Sequence, residues 1–175
     1  FIYFRNTSLG GGHGHQDKLH VEIWFEDEEI LRDSGRFTYK DIDERYRLKG
    51  SQIHNVPIIN NTEYAECRDS WIYKSLPASM GNTFVIKENM LLFEGFHCGY
   101  MNIGVLLRRR VVAPTSDIII ISDEIIGNKD HVLSQHFAFA ENISLKRENN
   151  LIIGKGDKCE FVIKSFDEKG EVTQD

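Results

Sequence analysis

The chain has 175 residues, 41% hydrophobic and 27% charged, enough for one domain with a real core and an ordinary globular composition. Its net charge of −6 argues against nucleic acid as a partner, because phosphate binding needs a basic face, and no apolar run is long enough to span a bilayer. An anionic sugar stays open as a ligand, since that needs positive charge in one cleft and not over the whole surface.

In chain order, "FIYFRNT" (1–7) reads as a strand already in progress, so the chain is expected to continue a longer protein on its N-terminal side. A glycine-rich stretch, "GGGHGHQDK" (10–18), leads into "LHVEIWFE" (19–26), where Leu19, Val21, Ile23 and Phe25 alternate with polar positions. That alternation predicts a strand with one face in the core. "DEE" then turns the chain into "ILRDSG" (30–35), which predicts a hairpin. "HNVPIIN" (54–60) reads as a short strand with Pro57 at an edge or bulge, and "SWIYKSL" and "NTFVIKENMLLFEGF" supply further strands over 70–96. "MNIGVLLRRRVVA" (101–113), "DIIIISDEI" (117–125), "HVLSQHFAFA" (131–140), "NLIIGK" and "CEFVIKSF" complete the set. Ile118–Ile121 shows no alternation and is expected to be buried on both faces.

No helix is expected anywhere. Short strands separated by turn residues predict an all-β fold, a two-layer antiparallel β-sandwich over 1–166, with 167–175 as a polar tail. Cys67, Cys98 and Cys159 lie far apart without a Cys-x-x-Cys pair, and are expected to be buried free thiols.

His13 and His15 form a His-x-His pair, and imidazole is the commonest metal ligand. Two ligands do not make a site, and Asp33 and His54 are the candidate partners. His15, Asp33 and His54 would suit a divalent metal such as zinc with one position open. The bland alternative is a loop histidine, a turn-initiating aspartate and a histidine near a strand edge. A tight hairpin places Asp33 opposite Glu22, roughly 23 Å of extended chain away from His15. The glycine-rich loop must therefore fold back over the sheet if the three are to meet.

"GGHGHQDKLHVEIWFEDEEILRDSGRFTYKD" and "YRLKGSQIHN" resemble the C-terminal β-sheet part of the heparinase II/III family of polysaccharide lyases, a group related to some alginate lyases. "FHCGYMNIGVLLRRR" is similar to the family's His-x-Gly-Tyr segment and following strand, so the likeness runs over 8–140. It implies the β-sandwich of a lyase that acts by β-elimination on acidic polysaccharide, of glycosaminoglycan or alginate type. The same resemblance implies one zinc ion on His15, Asp33 and His54, with His13 projecting into the cleft and Tyr39 lining it. Tyr46 competes with Tyr39 for that position. An N-terminal α/α toroid of the same parent chain is implied as partner and as the source of most catalytic residues, so the isolated chain is expected to be inactive. The location of the parent is left open, with the periplasm or the outside of the cell favoured over the cytoplasm. The chain departs from the family pattern at Leu107, Cys98 and Val56, where a histidine, an aspartate and a threonine are usual.

Two other classes compete. Cupin-type enzymes also combine His-x-His with an acid and a later histidine on a β-barrel, but their acid follows the pair more closely than Asp33 does. A carbohydrate-binding β module without catalysis is the other. Arg108–Arg110 read as exposed charges on a strand, His20, His131 and His136 as structural, and Trp24 and Trp71 as either core or sugar-stacking residues.

Overall fold

The structure is a computed structural model that describes residues 1–9, 14–35, 42–69, 71–127 and 130–166. Strands β1 (Ile2–Arg5), β2 (His20–Phe25) and β3 (Glu28–Leu31) form one antiparallel sheet in that order. Glu26 and Asp27 close the β2–β3 hairpin with φ of +48° and +63°. Two successive left-handed residues give a turn whose twist matches that of the flanking strands.

After β3 come helix α1 (Ile42–Lys49), a 3₁₀ turn over Ser51–Ile53 and β4 (Pro57–Ile59). Strands β5 (Ser79–Lys87), β6 (Met90–His97), β7 (Val105–Thr115) and β8 (Ile118–Gly127) form a second antiparallel sheet in chain order. β9 (Leu133–Gln135) pairs with β4. β10 (Ser144–Glu148), β11 (Leu151–Lys155) and β12 (Glu160–Lys164) make a small third sheet.

The first two sheets pack face to face. Val21, Ile23, Ile30 and Leu31 meet Val111, with Ile2, Phe4, Phe93 and Ile121 around them. Each such side chain contributes roughly 1.5–3 kcal/mol when fully buried. A second cluster holds Leu19, Ile59, Tyr64, Tyr73, Tyr100, Val105 and Leu107. The third sheet attaches through Phe161 stacked on Phe139, at 6.0 Å, and through Glu28. The Glu28 carboxylate accepts the backbone N–H groups of Asp157 (2.6 Å), Lys158 (2.9 Å) and Cys159 (3.1 Å), and the Asn142 amide (2.6 Å). Those donors hold its pKa below the usual value against the opposing effect of burial. A Cβ on Gly156 would come within 2.5 Å of this carboxylate, so only glycine allows the approach.

The fold is the expected all-β, two-layer antiparallel sandwich, and four local expectations are corrected. Residues 42–49 are helical, with Asp43 and Glu44 in the first turn and Arg47 and Lys49 in the last, charges that complement the helix dipole. "SWIYKSL" forms no strand among the described residues beyond the isolated bridge Cys67–Tyr73. Ile118–Ile120 are exposed; they open β8, the edge strand of its sheet, next to the β7–β8 turn. Arg109 is fully buried, because side chains alternate along β7 and its parity is that of Leu107 and Val111. Arg108 and Arg110 point the other way and pair with Glu124 and Glu94. The three cysteines are free but only half-buried, a further correction to the expectation of buried thiols. The 167–175 tail lies outside the described residues.

Candidate metal centre

β2 starts at His20, and the segment before it folds back over the sheet. The Gln16 N–H donates to the Lys49 carbonyl at the end of α1 (2.8 Å), and the Gln16 side chain accepts the Ala65 N–H (2.8 Å). The Tyr73 hydroxyl donates to the Gly14 carbonyl at 3.1 Å. These bonds lay His15 against His54, with ring centroids 5.3 Å apart. From the other side, the Ser34 hydroxyl donates to the Ile53 carbonyl (2.7 Å), which brings Asp33 beside His54. The fold-back thus brings His15 and Asp33 each against His54, but among the described residues these three are not a group whose donor atoms all lie within 4.8 Å of one another.

His54 is fully buried, and its Nδ1 lies 3.2 Å from Asp33 Oδ1. The contact is not an aligned hydrogen bond, and among the described residues neither ring nitrogen of His54 has such a partner. Buried polar atoms left this way are costly. Two tetrahedral zinc ligands at bond lengths near 2.0–2.1 Å stand about 3.3 Å apart, so the separation fits two donors aimed at one ion. The donor set, two imidazoles and a carboxylate, is also zinc chemistry. Burial, with help from His54, lowers the His15 pKa to about 4, so the ring is neutral and keeps a lone pair to offer. Burial alone would raise the Asp33 carboxyl, but the His54 ring and the Gly35 N–H (2.8 Å) outweigh it and hold it well below the usual carboxylate range.

His20 and Glu22 lie at the same place, with donor atoms of His20, Glu22 and Asp33 within 4.8 Å of one another. Sequence reasoning assigned His20 a structural role on the polar face of β2. Polar side chains at i and i+2 of a strand point to one side, and that period is the signal that joins His20 to Glu22. The chemistry separates them. His20 Nδ1 accepts the Asn55 N–H at 3.1 Å, so the neutral ring carries its proton on Nε2 and has no lone pair there for a metal. Burial lowers its pKa to about 4, consistent with a neutral ring.

Asn55 joins the centre to both sheets. Its amide donates to the carbonyls of Val21 (2.8 Å) and Arg32 (2.9 Å), and its side-chain oxygen accepts the Ala138 N–H (2.5 Å). Arg109 Nη1 donates to the carbonyls of Asn55 (2.6 Å) and Leu19 (2.9 Å). The other edge of that guanidinium pairs with Asp123 through two bonds of 2.7 Å, and Gln135 donates to the same carboxylate at 2.8 Å. Leu19 needs that anchor: it holds φ of +65°, a left-handed conformation rare for a branched side chain.

His13 and Tyr39 lie outside the described residues. Tyr46 is on α1 and exposed. Trp71 is exposed on one side, with the Arg45 guanidinium 3.9 Å from its ring centre, and Trp24 packs on Phe1 at 5.3 Å. His97 is buried away from the centre beside Tyr64, with ring centroids 5.0 Å apart.

The fold is similar to solved heparinases. The heparan sulfate lyase HepC from Pedobacter heparinus, in a mutant form, superposes with a TM-score of 0.72 at 15% identity, over 89% of this chain and 24% of that one. The heparinase III BT4657 gene product, with methylated lysines, gives a TM-score of 0.69 at 18% identity, over 87% of this chain and 22% of that one. This chain therefore spans under a quarter of the length of those structures. A search of the curated proteins found no match. The model of the family described as Heparinase II/III-like, C-terminal, matches residues 1–175, and the chain belongs to that family.

Proposed function

We propose that this chain is the β-sandwich part of a polysaccharide lyase that cleaves uronic-acid-containing polysaccharide, of the glycosaminoglycan or alginate type, by β-elimination. His15, Asp33 and His54 hold one zinc ion. The observation that carries the metal is the pair of buried His54 nitrogens without aligned partners, met by Asp33 at 3.2 Å. Family membership supports the rest.

Elimination removes the weakly acidic proton at C5 of the uronate and expels the glycosidic oxygen at C4. It needs the uronate carboxylate neutralised, a base at C5 and an acid at the leaving oxygen. His13 helps neutralise the carboxylate, and Tyr39 lines the cleft and either moves a proton or holds the sugar. When bound, the zinc supplies a fixed charge that locks the loop carrying His15, and with it the adjacent His13. An α/α toroid of the same parent chain supplies the remaining catalytic groups, and the isolated chain is inactive.

The test is metal analysis of the purified chain with a lyase assay on the parent protein. One zinc per chain, lost in His15→Ala, and ultraviolet-absorbing unsaturated uronides released by the parent alone are the expected results. A metal-free native chain removes the zinc centre, and a parent that binds acidic polysaccharide without cleaving it removes the lyase.

A further inference from the structure

Trp71 is a large aromatic side chain that neither hydrophobic cluster nor the metal centre uses. It sits on a short turn with a rigid frame. Asp69 Oδ1 accepts the backbone N–H groups of Trp71 (2.8 Å) and Ile72 (2.9 Å), and the Arg68 N–H donates to the Ile72 carbonyl (2.7 Å). The Lys74 N–H on the Glu66 carbonyl (2.8 Å) and the Cys67–Tyr73 bridge close its base. The Arg45 guanidinium lies over the indole, 3.9 Å from the ring centre, and Arg45 is itself buried. The ring is therefore fixed from behind, yet it stays 43% exposed, and Ile72 beside it is exposed too. An apolar surface held open in this way marks a binding site, and a ring already fixed loses little freedom when a ligand stacks on it.

We propose that Trp71 is the stacking platform of a sugar subsite that takes an acidic pyranose unit. The proposal rests on the acidic-polysaccharide reading above and adds to it a residue that grips the chain. An indole offers a flat apolar face with a polar N–H at its rim, which matches the C–H face of a pyranose bordered by hydroxyls. The charge behind the ring selects an acidic unit. Arg45 keeps its charge at every physiological pH. Lys49 is buried beside it, with Nζ 3.5 Å from the Trp71 carbonyl and 4.4 Å from the Tyr73 ring centre, and no carboxylate forms an ion pair with it among the described residues. The platform also shares its supports with the metal centre. The Lys49 carbonyl accepts the Gln16 N–H, and the Tyr73 hydroxyl donates to the Gly14 carbonyl, so both hold the segment that carries His15.

The experiment is calorimetric titration of the full chain with hexasaccharides of heparan sulfate, of alginate and of uncharged cellulose. One of the two acidic probes is expected to bind, about tenfold more weakly to Trp71→Ala and with a smaller loss in Trp71→Phe, which keeps a ring. The cellulose probe is expected to bind about tenfold more weakly than the acidic one. The chain has two tryptophans, so Trp24→Phe leaves Trp71 as its one indole, whose emission should change as the acidic probe binds. In the parent protein Trp71→Ala should raise KM about tenfold with kcat unchanged. Wild-type affinity in Trp71→Ala overturns the proposal and leaves the lyase standing, and equal binding of the uncharged probe overturns the acidic assignment. A parent that binds through Trp71 but releases no unsaturated uronide supports the subsite and removes the lyase. If Trp71→Ala fails to fold, the emission of Trp24→Phe decides: a change with an acidic probe supports the platform, and none overturns it.

Discussion

Arg109 and His54 are both fully buried, and both adjoin Asn55, yet their surroundings differ. Around Arg109 the hydrogen bonds close on themselves: Asp123 takes two, and the carbonyls of Leu19 and Asn55 take two more. Gln135 then satisfies the far side of Asp123. Around His54 they do not close, because its ring nitrogens and Nε2 of His20 lack aligned partners among the described residues. A closed cluster is a fastener, whose members stabilise the fold by answering one another. An open one at the same depth costs stability unless something else completes it. The closed cluster grips Leu19 and Asn55 next to the open one, and so anchors the segments that carry the candidate ligands.

The largest effect should come from breaking the fastener. Arg109→Met leaves Asp123 buried and uncompensated, and denaturant unfolding should show a loss of about 3–5 kcal/mol. The double replacement Arg109→Met with Asp123→Leu should recover much of it. A single variant as stable as wild type would mean that the cluster is not closed.

The open cluster should respond to metal instead. With free zinc at about 100 times its dissociation constant, the chain should gain about 2.7 kcal/mol over the chelated form. His54→Ala should show no such zinc dependence. Equal stabilisation of wild type and His54→Ala would place the ion elsewhere.

A third buried polar group sharpens the contrast through pH. His97 Nδ1 accepts the Gly99 N–H at 3.0 Å, and burial, with smaller contributions from Lys18 and Arg109, lowers its pKa to about 3. The folded value lies below the unfolded one near 6.5, so the folded chain binds fewer protons in between. The associated stability is present above pH 6.5 and is lost as pH falls toward 3. Between pH 6.5 and 5.5 the loss should be about 1 kcal/mol. His97→Gln should reduce the loss over that range by about 1 kcal/mol, leaving the shares of His15 and His20, and an unchanged acid limb would assign it to those groups.

The smallest effect is expected one residue from the largest. Arg108→Ala removes a partner of Glu124 on the outer face of β7 and should change stability by no more than about 1 kcal/mol. A loss comparable to that of Arg109→Met would show that the outer face of the sheet is covered in solution.

Strand content was legible from alternation in β2 and β7, because a half-buried strand must repeat every two residues. The β2–β3 hairpin was legible from the polar run at its turn. Alternation in "VLLRRRVVA" also contained the burial of Arg109, since its parity is that of Leu107 and Val111, but three adjacent charges masked the period. Helix α1 was hidden because "IDERYRLK" has no clear apolar stripe; its charges suit the helix dipole, and its C-terminal end is held by the Gln16 N–H on the Lys49 carbonyl.

The sequence by itself determined the all-β class, the first hairpin and the residue types able to hold a cation at His15, Asp33 and His54, because periodicity and donor chemistry are local properties. Only the tertiary structure decided which donors meet. Asp33 reaches His54 through the Ser34–Ile53 bond, and His15 reaches it through Gln16, Tyr73 and α1. The same structure drew Glu22 and His20 into the centre and gave His20 its tautomer, through an Asn55 N–H that lies 35 residues away along the chain. Such proximities are set by how one sheet packs on another, and spacing along the chain carries no record of them.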